Sequence, residues 1–329
     1  MLNMKKNIAI VWGGYSSEKE VSEKSAEGIN SFMNHEIYNI YKVKIEREKW
    51  FVENDGQYYL IDKNDFSFVL DNRKINFDFA YITIHGTPGE DGTLQGYFDM
   101  LHIPYSNCGV LASALTFSKY FCNNFFKSFG YDVAESVIVR KNDEYNSEEI
   151  INKLSLPVFV KPNVGGSSFA TTKVKKTEDL SGAIAYAFEE ANEVMIERFI
   201  SGTEVTCGCY KNDRGIHALP ISEVVSKNEF FDYNAKYNGE VEEITPARIS
   251  AQMTSKIQEL TQKIYKIIEA KGFIRVDYII SDEGPILLEI NTTPGMTPTS
   301  FIPQQVAAAK LPIKDVLTDI IEYEYKKLN

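Results

Sequence analysis

At 329 residues, with 43% hydrophobic and 25% charged residues and a net charge of −11, the chain has the composition of a soluble globular protein. Such acidity is a poor basis for binding nucleic acid or an anionic membrane. The length allows two or three domains at about 150 residues each, and no apolar run approaches the ~18 residues that span a bilayer.

Lys5 and Lys6 precede Ile8–Trp12, a run too short for a signal-peptide core that ends in Gly13-Gly14. It reads as a first strand. Among Cys108, Cys122, Cys207 and Cys209 there is no Cys-x-x-Cys pair. They read as small core residues in a reducing compartment, which points to the cytoplasm, and their spacing does not indicate zinc.

Residues 7–14 predict a strand into a glycine turn, and the Ser17/Glu20 capping-box pattern predicts a helix to about Met33. A strand, a turn and a helix start make a ready ligand site. The spacing is not Gly-x-Gly-x-x-Gly, so a dinucleotide site is not supported. Glu18 is either a favourable charge on the helix dipole or a functional carboxylate. Strands follow near Tyr38–Val43, Tyr58–Ile61 and Phe79–Ile84. The last runs into His85-Gly-Thr-Pro-Gly-Glu-Asp-Gly, with Glu90 as one of its two acids. Loops at the carboxyl ends of parallel strands collect ligands. His85 reads as an acid–base or substrate group, or as a structural hydrogen bonder. Helix–strand alternation up to Pro104 suggests a small doubly wound first domain.

Gly109–Phe129 predicts one helix containing Lys119, Val137–Val139 a strand and Asn146–Leu154 a helix. Leu156–Val174 reads as strand, glycine loop and strand, with Lys161 before Gly165-Gly166-Ser167-Ser168. A Walker loop has its Lys after the glycines and then a helix. Here the loop is either a phosphate cover with Lys161 as its cation, or a plain hairpin tip. Thr177–Ala191 predicts a helix, and Glu193–Ile200 a strand running into Glu204. Val205–Tyr210 and His217–Val225 predict antiparallel strands. Residues 226–249 look like a long polar loop with aromatics, which is the character of a lid. Helices are expected over Ser250–Lys271 and Val306–Leu328.

Gly272–Ser300 carries the densest chemistry. Two apolar runs around Ser281–Gly284 predict a hairpin. Side chains at i and i+2 share a strand face, so Arg275 goes with Asp277 and Glu289 with Asn291. In simple register the two faces coincide. Two carboxylates and an amide oxygen then suit Mg²⁺, with phosphate oxygens completing its shell. The competing reading is an exposed strand face with alternating charges.

Six runs in order now resemble a known family. They are Gly13–Ser22, His85–Gly96, Ala112–Lys119, Lys161–Ser168, Asp232–Tyr237, and Arg275-Val-Asp277 with Glu289–Met296. Together the runs span nearly the full chain, and it resembles the D-alanine–D-alanine ligase family of the ATP-grasp superfamily. The resemblance implies an α/β (α+β) ATP-grasp fold of three domains. These are an N-terminal domain over 1–108 with a doubly wound parallel sheet, and two nucleotide-clasping α+β domains over 109–196 and 197–329, with lid loop 226–249. It also implies a reaction in which ATP phosphorylates one D-alanine and the amine of a second displaces phosphate, supplying peptidoglycan precursors.

By the same resemblance, Lys119 and Lys161 contact the ATP phosphates and Gly165–Ser168, including Gly166, covers them. Glu197, Phe199, Ile200 and Glu204 hold adenine and ribose, and Lys236 reaches the γ-phosphate. Asp277, Glu289 and Asn291 hold two Mg²⁺ ions (or Mn²⁺). Glu18, Ser167 and Tyr237 form a hydrogen-bonded set around the first D-alanine, with His85 and Glu90 beside it. Ser300 holds the second D-alanine's carboxylate, and Arg275 and the Gly295 backbone stabilise the oxyanion. A homodimer is also implied. His85, Tyr237 and phosphate itself are candidates to take the amine's proton. Tyr237 favours an amine nucleophile over a D-lactate hydroxyl. Trp12 and Phe169-Ala170 depart from the family pattern.

Overall fold

The computed structural model describes residues 5–54, 56–166, 169–226 and 241–328. The chain forms three main sheets in succession. The first is built from β1 (Lys6–Gly13), β2 (Tyr38–Ile45), β3 (Trp50–Asn54) and β4 (Gln57–Leu60), with α1 (Lys19–Phe32) between β1 and β2. A small hairpin, β5 (Ser67–Leu70) with β6 (Arg73–Asn76), precedes β7 (Phe79–Ile82). The sheet order is β4-β3-β2-β1-β7. β1 pairs in parallel with both β2 and β7, whereas β3 and β4 add an antiparallel edge. The parallel core is therefore three strands, buried on both faces as parallel strands usually are. One face packs Val11, Val43, Ile82 and Phe98. The other packs Ile8, Ile10 and Ile29 of α1 against Leu317, Ile320 and Ile321 of the C-terminal helix.

Next come α2 (Thr93–Met100), α3 (Val110–Phe117) and α4 (Lys119–Ser128). The expected single helix over 109–129 is two helices, broken at Ser118, which is extended at φ −92° and ψ 103°. The break has a cause. Lys119 N donates to Asn163 O at 3.0 Å and Tyr120 N to Asn163 Oδ1 at 2.9 Å, so the first free donors of α4 are taken by another element.

The second sheet joins β8 (Ser136–Arg140), β9 (Val158–Pro162), β10 (Thr172–Val174) and β11 (Glu193–Arg198) in the order β10-β9-β11-β8. It packs on α5 (Ser147–Leu154) and α6 (Leu180–Ala187) through Leu154, Val160, Ile184 and Val194. Asn146 caps α5 by accepting from Glu148 N and Glu149 N.

The third sheet joins β12 (Thr203–Asn212), β13 (Gly215–Ala218), β14 (Ser222–Ser226), β15 (Val241–Ile244), β16 (Ile274–Ser281) and β17 (Gly284–Asn291). α7 (Ala251–Ile267) covers it through Ile257, Ile264 and Tyr265. The expected loop over 226–249 is thus partly strand, because Val241–Ile244 pairs with β14, and Arg248 is forked onto the buried Glu223 at 2.8 and 3.0 Å. The expected C-terminal helix is also two, α8 (Phe301–Ala308) and α9 (Ile313–Leu328). Lys310 takes φ +58° just before Pro312, and neither suits a helix interior.

Candidate active site

The three sheets meet at one cleft of about 1250 Å³. Its first wall comes from the carboxyl ends of two neighbouring parallel strands. After β1 the chain turns through Gly14, where φ is +92° and a Cβ would lie 2.5 Å from Ile84. Only glycine brings the two strand ends this close. Tyr15 N then donates to Thr87 O at 2.9 Å and Ser16 Oγ to His85 O at 2.7 Å. The expected Ser17/Glu20 capping box does not form. Glu18 is itself the N-cap residue of α1, without a side-chain cap bond, so the helix starts one residue later than a Ser17 cap would set it. Glu18 faces the cleft beside Gly166, where an added Cβ would lie 3.0 Å from both carboxylate oxygens.

Glu90 sits behind Glu18 in the same wall. Burial pushes its carboxyl up to about 8, and the Glu18 charge adds to this, against the pull of the Gly86 N–H on Oε2 at 2.7 Å. A carboxyl that is harder to ionise folded than unfolded gives stability that is full below its ordinary value of 4.5 and is lost as pH rises through about 8. Glu90→Gln is therefore expected to gain stability over the parent at about pH 9, with the gap closing near pH 5. Urea unfolding at the two values checks this.

The second wall is β9 and β11. Lys161 is opposite Met195, so Glu197 lies two residues on along the same face. Lys161 Nζ and Glu197 Oε1 form a 2.6 Å ion pair, with both residues buried. Glu197 Oε2 has no hydrogen-bond partner among the described residues. Phe199 and Ile200 continue this wall, and Lys173 Nζ lies 3.7 Å from the Phe199 ring centroid. Lys119, at the start of α4, reaches Gly165 O at 2.5 Å. Burial lowers its ammonium pKa.

The third wall is β12, β16 and β17. The register pairs Arg275 with Asn291 and Asp277 with Glu289, followed by a bulge at Asp277/Tyr278. The four side chains share one face, as the alternation predicted. Arg275 holds Asp277 in a two-pronged ion pair at 2.9 and 2.7 Å. Asn291 Nδ2 donates to Asp277 Oδ2 at 3.1 Å and reaches Glu289 Oε1 at 3.5 Å. Burial pushes Glu289 up, but Lys119, Lys161 and Arg275 together hold its pKa below the ordinary value. Glu204, half-buried, is pushed up to about 7 by its partial burial and by the charges of Asp277 and Glu289. The loop after Asn291 then brings Gly295 against Ser300, where a Cβ on Gly295 would lie 3.0 Å from Ser300 Oγ.

Among the described residues no group of three or more His, Cys, Asp or Glu side chains is placed to hold a metal ion by itself. Asp277 and Glu289 as a pair suit a hard cation that takes its other oxygens from phosphates, and a half-turn of the Asn291 amide, whose Nδ2 faces both carboxylates here, would present its oxygen to the same ion.

Every expected site residue that the structure describes lines this one cleft: Glu18, His85, Glu90, Lys119, Lys161, Gly166, Glu197, Phe199, Ile200, Glu204, Arg275, Asp277, Glu289, Asn291, Gly295 and Ser300. Ser167, Ser168, Lys236 and Tyr237 lie outside the described residues. Three supports were not legible in the sequence. Thr206 Oγ1 donates to Asp277 Oδ1 at 2.6 Å. Asn107 Nδ2 donates to Thr292 O at 3.2 Å and Thr293 Oγ1 at 2.7 Å. Asn163 ties α4 to β9. Only Asn163 carried a signal, since it closes the Lys-Pro-Asn run of the glycine loop.

A cleft between antiparallel sheets, with Lys119 and the buried Lys161 on one side and paired carboxylates on the other, defines a nucleotide-clasping ATP-grasp enzyme. Residues 7–108 match the family model for the D-ala D-ala ligase N-terminus, and residues 125–322 match that for the C-terminus. The chain belongs to the D-alanine–D-alanine ligase family. It is 58% identical over 324 residues to a D-alanine--D-alanine ligase of Bacteroides fragilis, covering 98% of this chain and 100% of that one. It is 60% identical to that of Parabacteroides distasonis, covering 98% of each. A solved D-alanine--D-alanine ligase of Bacillus anthracis complexed with ATP matches with a TM-score of 0.79 at 29% identity, covering 98% of each chain. The VanG D-Ala:D-Ser ligase of Enterococcus faecalis matches at 0.84 and 31%, covering 98% of this chain and 100% of that one.

Proposed function

We propose that the cleft joins two D-alanines to D-alanyl-D-alanine, with ATP converted to ADP and phosphate, as a step of peptidoglycan precursor synthesis. The single observation that carries this is the convergence of Lys119, Lys161, Arg275, Asp277, Glu289 and Asn291 on one cleft in a chain of this family. A carboxylate is a poor electrophile. Its oxygen attacks the γ-phosphorus, ADP leaves, and D-alanyl phosphate forms. The amine of the second D-alanine attacks the acyl carbon, the C–O bond breaks, and phosphate leaves with that oxygen.

Each group then has a task. Lys119 and Lys161 balance phosphate charge where water is scarce. Glu197 Oε2, without a partner among the described residues, offers an acceptor for the adenine amino group, next to Phe199 and Ile200, and Glu204 takes the ribose. Asp277, Glu289 and Asn291 would hold Mg²⁺ (or Mn²⁺), two ions in all, which supply charge neutralisation on the transferring phosphoryl group. Glu18, with His85 and Glu90 beside it, faces the ammonium of the first D-alanine. Ser300 faces the carboxylate of the second. The Arg275 guanidinium and Gly295 N–H face the oxyanion of the tetrahedral intermediate.

The division into units over 1–108, 109–196 and 197–329 is proposed on the same footing. Three main sheets that share no strand support a threefold division, but the boundary at 196/197 falls inside β11, whose Glu197 and Arg198 still pair with β9, so the second unit runs at least to Arg198. A cytoplasmic location fits four free, buried cysteines, and among the described residues no helix is long and apolar enough to cross a membrane. A homodimer is supported by the exposed apolar Met100 and Leu111 on consecutive helices, and sedimentation velocity tests it.

Asn163→Ala removes the Tyr120 acceptor and the donor to Ser118 Oγ and Glu193, all near buried backbone. The expected outcome is a loss of about 1–3 kcal/mol in stability, with a raised KM for ATP as Lys119 loosens. Thermal melts and steady-state kinetics check both. The activity itself is tested by phosphate release from ATP and Mg²⁺ with D-alanine, L-alanine, or D-alanine plus D-lactate. Phosphate and dipeptide with D-alanine alone are expected. A lactate-containing product would move the chain to the depsipeptide branch.

A further inference from the structure

We propose that Ser25 is a positioning residue that locks His85 and the Gly295–Met296 turn to one another across α1, giving its hydroxyl proton to His85 Nε2. The inference rests on reading the cleft as the ligase site. Ser25 is 1% exposed, on the inward face of α1. Its Oγ lies 3.3 Å from His85 Nε2. The same oxygen accepts a longer contact from Met296 N at 3.5 Å. His85 is tied a second time to the chain entering α1, through its carbonyl and Ser16 Oγ.

Gly28 gives the second, independent observation. It lies three residues on from Ser25, on the same face of the helix. A Cβ there would sit 2.1 Å from Met296 O and 3.3 Å from Thr297 Cα. The helix backbone thus runs directly against the backbone of the turn that carries Gly295. Gly28 permits the approach, and Ser25 supplies its directional contact. Residues 271 positions apart are joined by one hydroxyl.

The proton inventory follows from these contacts. A serine oxygen accepts through its lone pairs but has one proton to give. Met296 N–H points into a lone pair. Among the described contacts, His85 Nε2 is the one acceptor within reach of the Ser25 proton; with the proton assigned to that contact, the ring proton of His85 is placed on Nδ1. His85 is thereby held in one tautomer and one orientation, registered to the turn whose N–H faces the oxyanion. A misplacement of 1 Å in such a constellation can cost up to ~10² in rate.

The test uses the full chain with Ser25→Ala, the near-isosteric Ser25→Cys, Ser25→Thr, His85→Gln and the double variant Ser25→Ala/His85→Gln. The expected result for Ser25→Ala and Ser25→Cys is a kcat lower by about 10-fold, with the ATP dissociation constant unchanged. Ser25→Thr retains the hydroxyl and is expected to retain kcat. The double variant is expected to be no slower than His85→Gln, because the two act as one unit. A normal kcat in Ser25→Ala, losses that multiply in the double variant, or a Ser25→Thr as slow as Ser25→Ala would overturn the proposal.

A second readout does not need turnover. The chain has 4 histidines, so the His85 ring-nitrogen resonances can be assigned by their loss in His85→Gln. Nδ1 protonated in the parent and a mixture of tautomers in Ser25→Ala supports the lock. The same mixture in the parent contradicts it. Failure of the parent to ligate D-alanine would instead count against the functional reading, and the resonances would still decide the lock.

Discussion

Arg275→Met is expected to lower kcat by at least ~10³-fold while ATP still binds. Two losses combine at one position. The first is an oxyanion donor, whose removal alone costs ~10²–10³ in comparable sites. The second is the partner of Asp277. The pair is close to fully enclosed, with side-chain exposures of 17% and 10%, and it is two-pronged. The charge of Asp277 raises the Arg275 pKa against the effect of burial, so the guanidinium is charged at every working pH. Without it Asp277 keeps the Thr206 hydroxyl and the Asn291 amide but loses its one ion-pair partner among the described residues. Arg275→Lys restores a charge without the planar fork, and recovers a small part of the rate. Steady-state kinetics with calorimetric ATP binding separates the two losses. A variant within tenfold of the parent would remove Arg275 from the chemistry.

Lys161→Met carries the second large effect, and on both stability and nucleotide affinity. Lys161 and Glu197 are 8% and 3% exposed. Glu197 Oε2 already has no partner among the described residues, so removing Lys161 leaves the second oxygen unpaired as well. Breaking a buried pair on one side costs about 3–5 kcal/mol. The KM for ATP is expected to rise by about 10²-fold, with the loss of one well-placed phosphate cation. The double variant Lys161→Met/Glu197→Leu tells stability from function. An apolar pair of similar volume recovers most of the lost stability, yet ATP affinity stays low. Chemical denaturation and ATP titration of the three proteins check this. Recovery of affinity along with stability would show Lys161 to be a structural residue.

Much of the site was legible because it is local. Arg275/Asp277 and Glu289/Asn291 are i, i+2 pairs, and a strand puts such pairs on one face whatever surrounds it. The hairpin register then needed only the short turn at Ser281–Gly284. Lys161 could be placed at a strand end from its own neighbours for the same reason. The misses have the opposite character. The helix break at Ser118 depends on Asn163, in a strand-loop some 45 residues away. The strand at Val241–Ile244 exists because β14 offers it an edge, not through its own polar sequence. Ser25, Asn107 and Thr206 act across elements, and no period or spacing in the chain marks them. The break before Pro312 was written in the sequence, and a stricter reading of that proline would have found it.

The capping-box miss is instructive in another way. Ser17 and Glu20 have the right spacing, yet α1 starts one residue later than that box requires, with Glu18 as its N-cap residue in the wall of the cleft. Local preference gave way where the site needed Glu18 turned inward. Such conflicts between local rule and observed structure tend to mark functional positions.

The most direct test of the account follows an atom. D-alanine labelled with heavy oxygen in its carboxylate is incubated with ATP and Mg²⁺, and the phosphate is analysed by mass. Attack of the carboxylate on the γ-phosphorus, then loss of phosphate to the amine, places one labelled oxygen in each phosphate released, with ADP as the nucleotide product. Unlabelled phosphate, or AMP in place of ADP, would contradict an acyl-phosphate mechanism in this cleft.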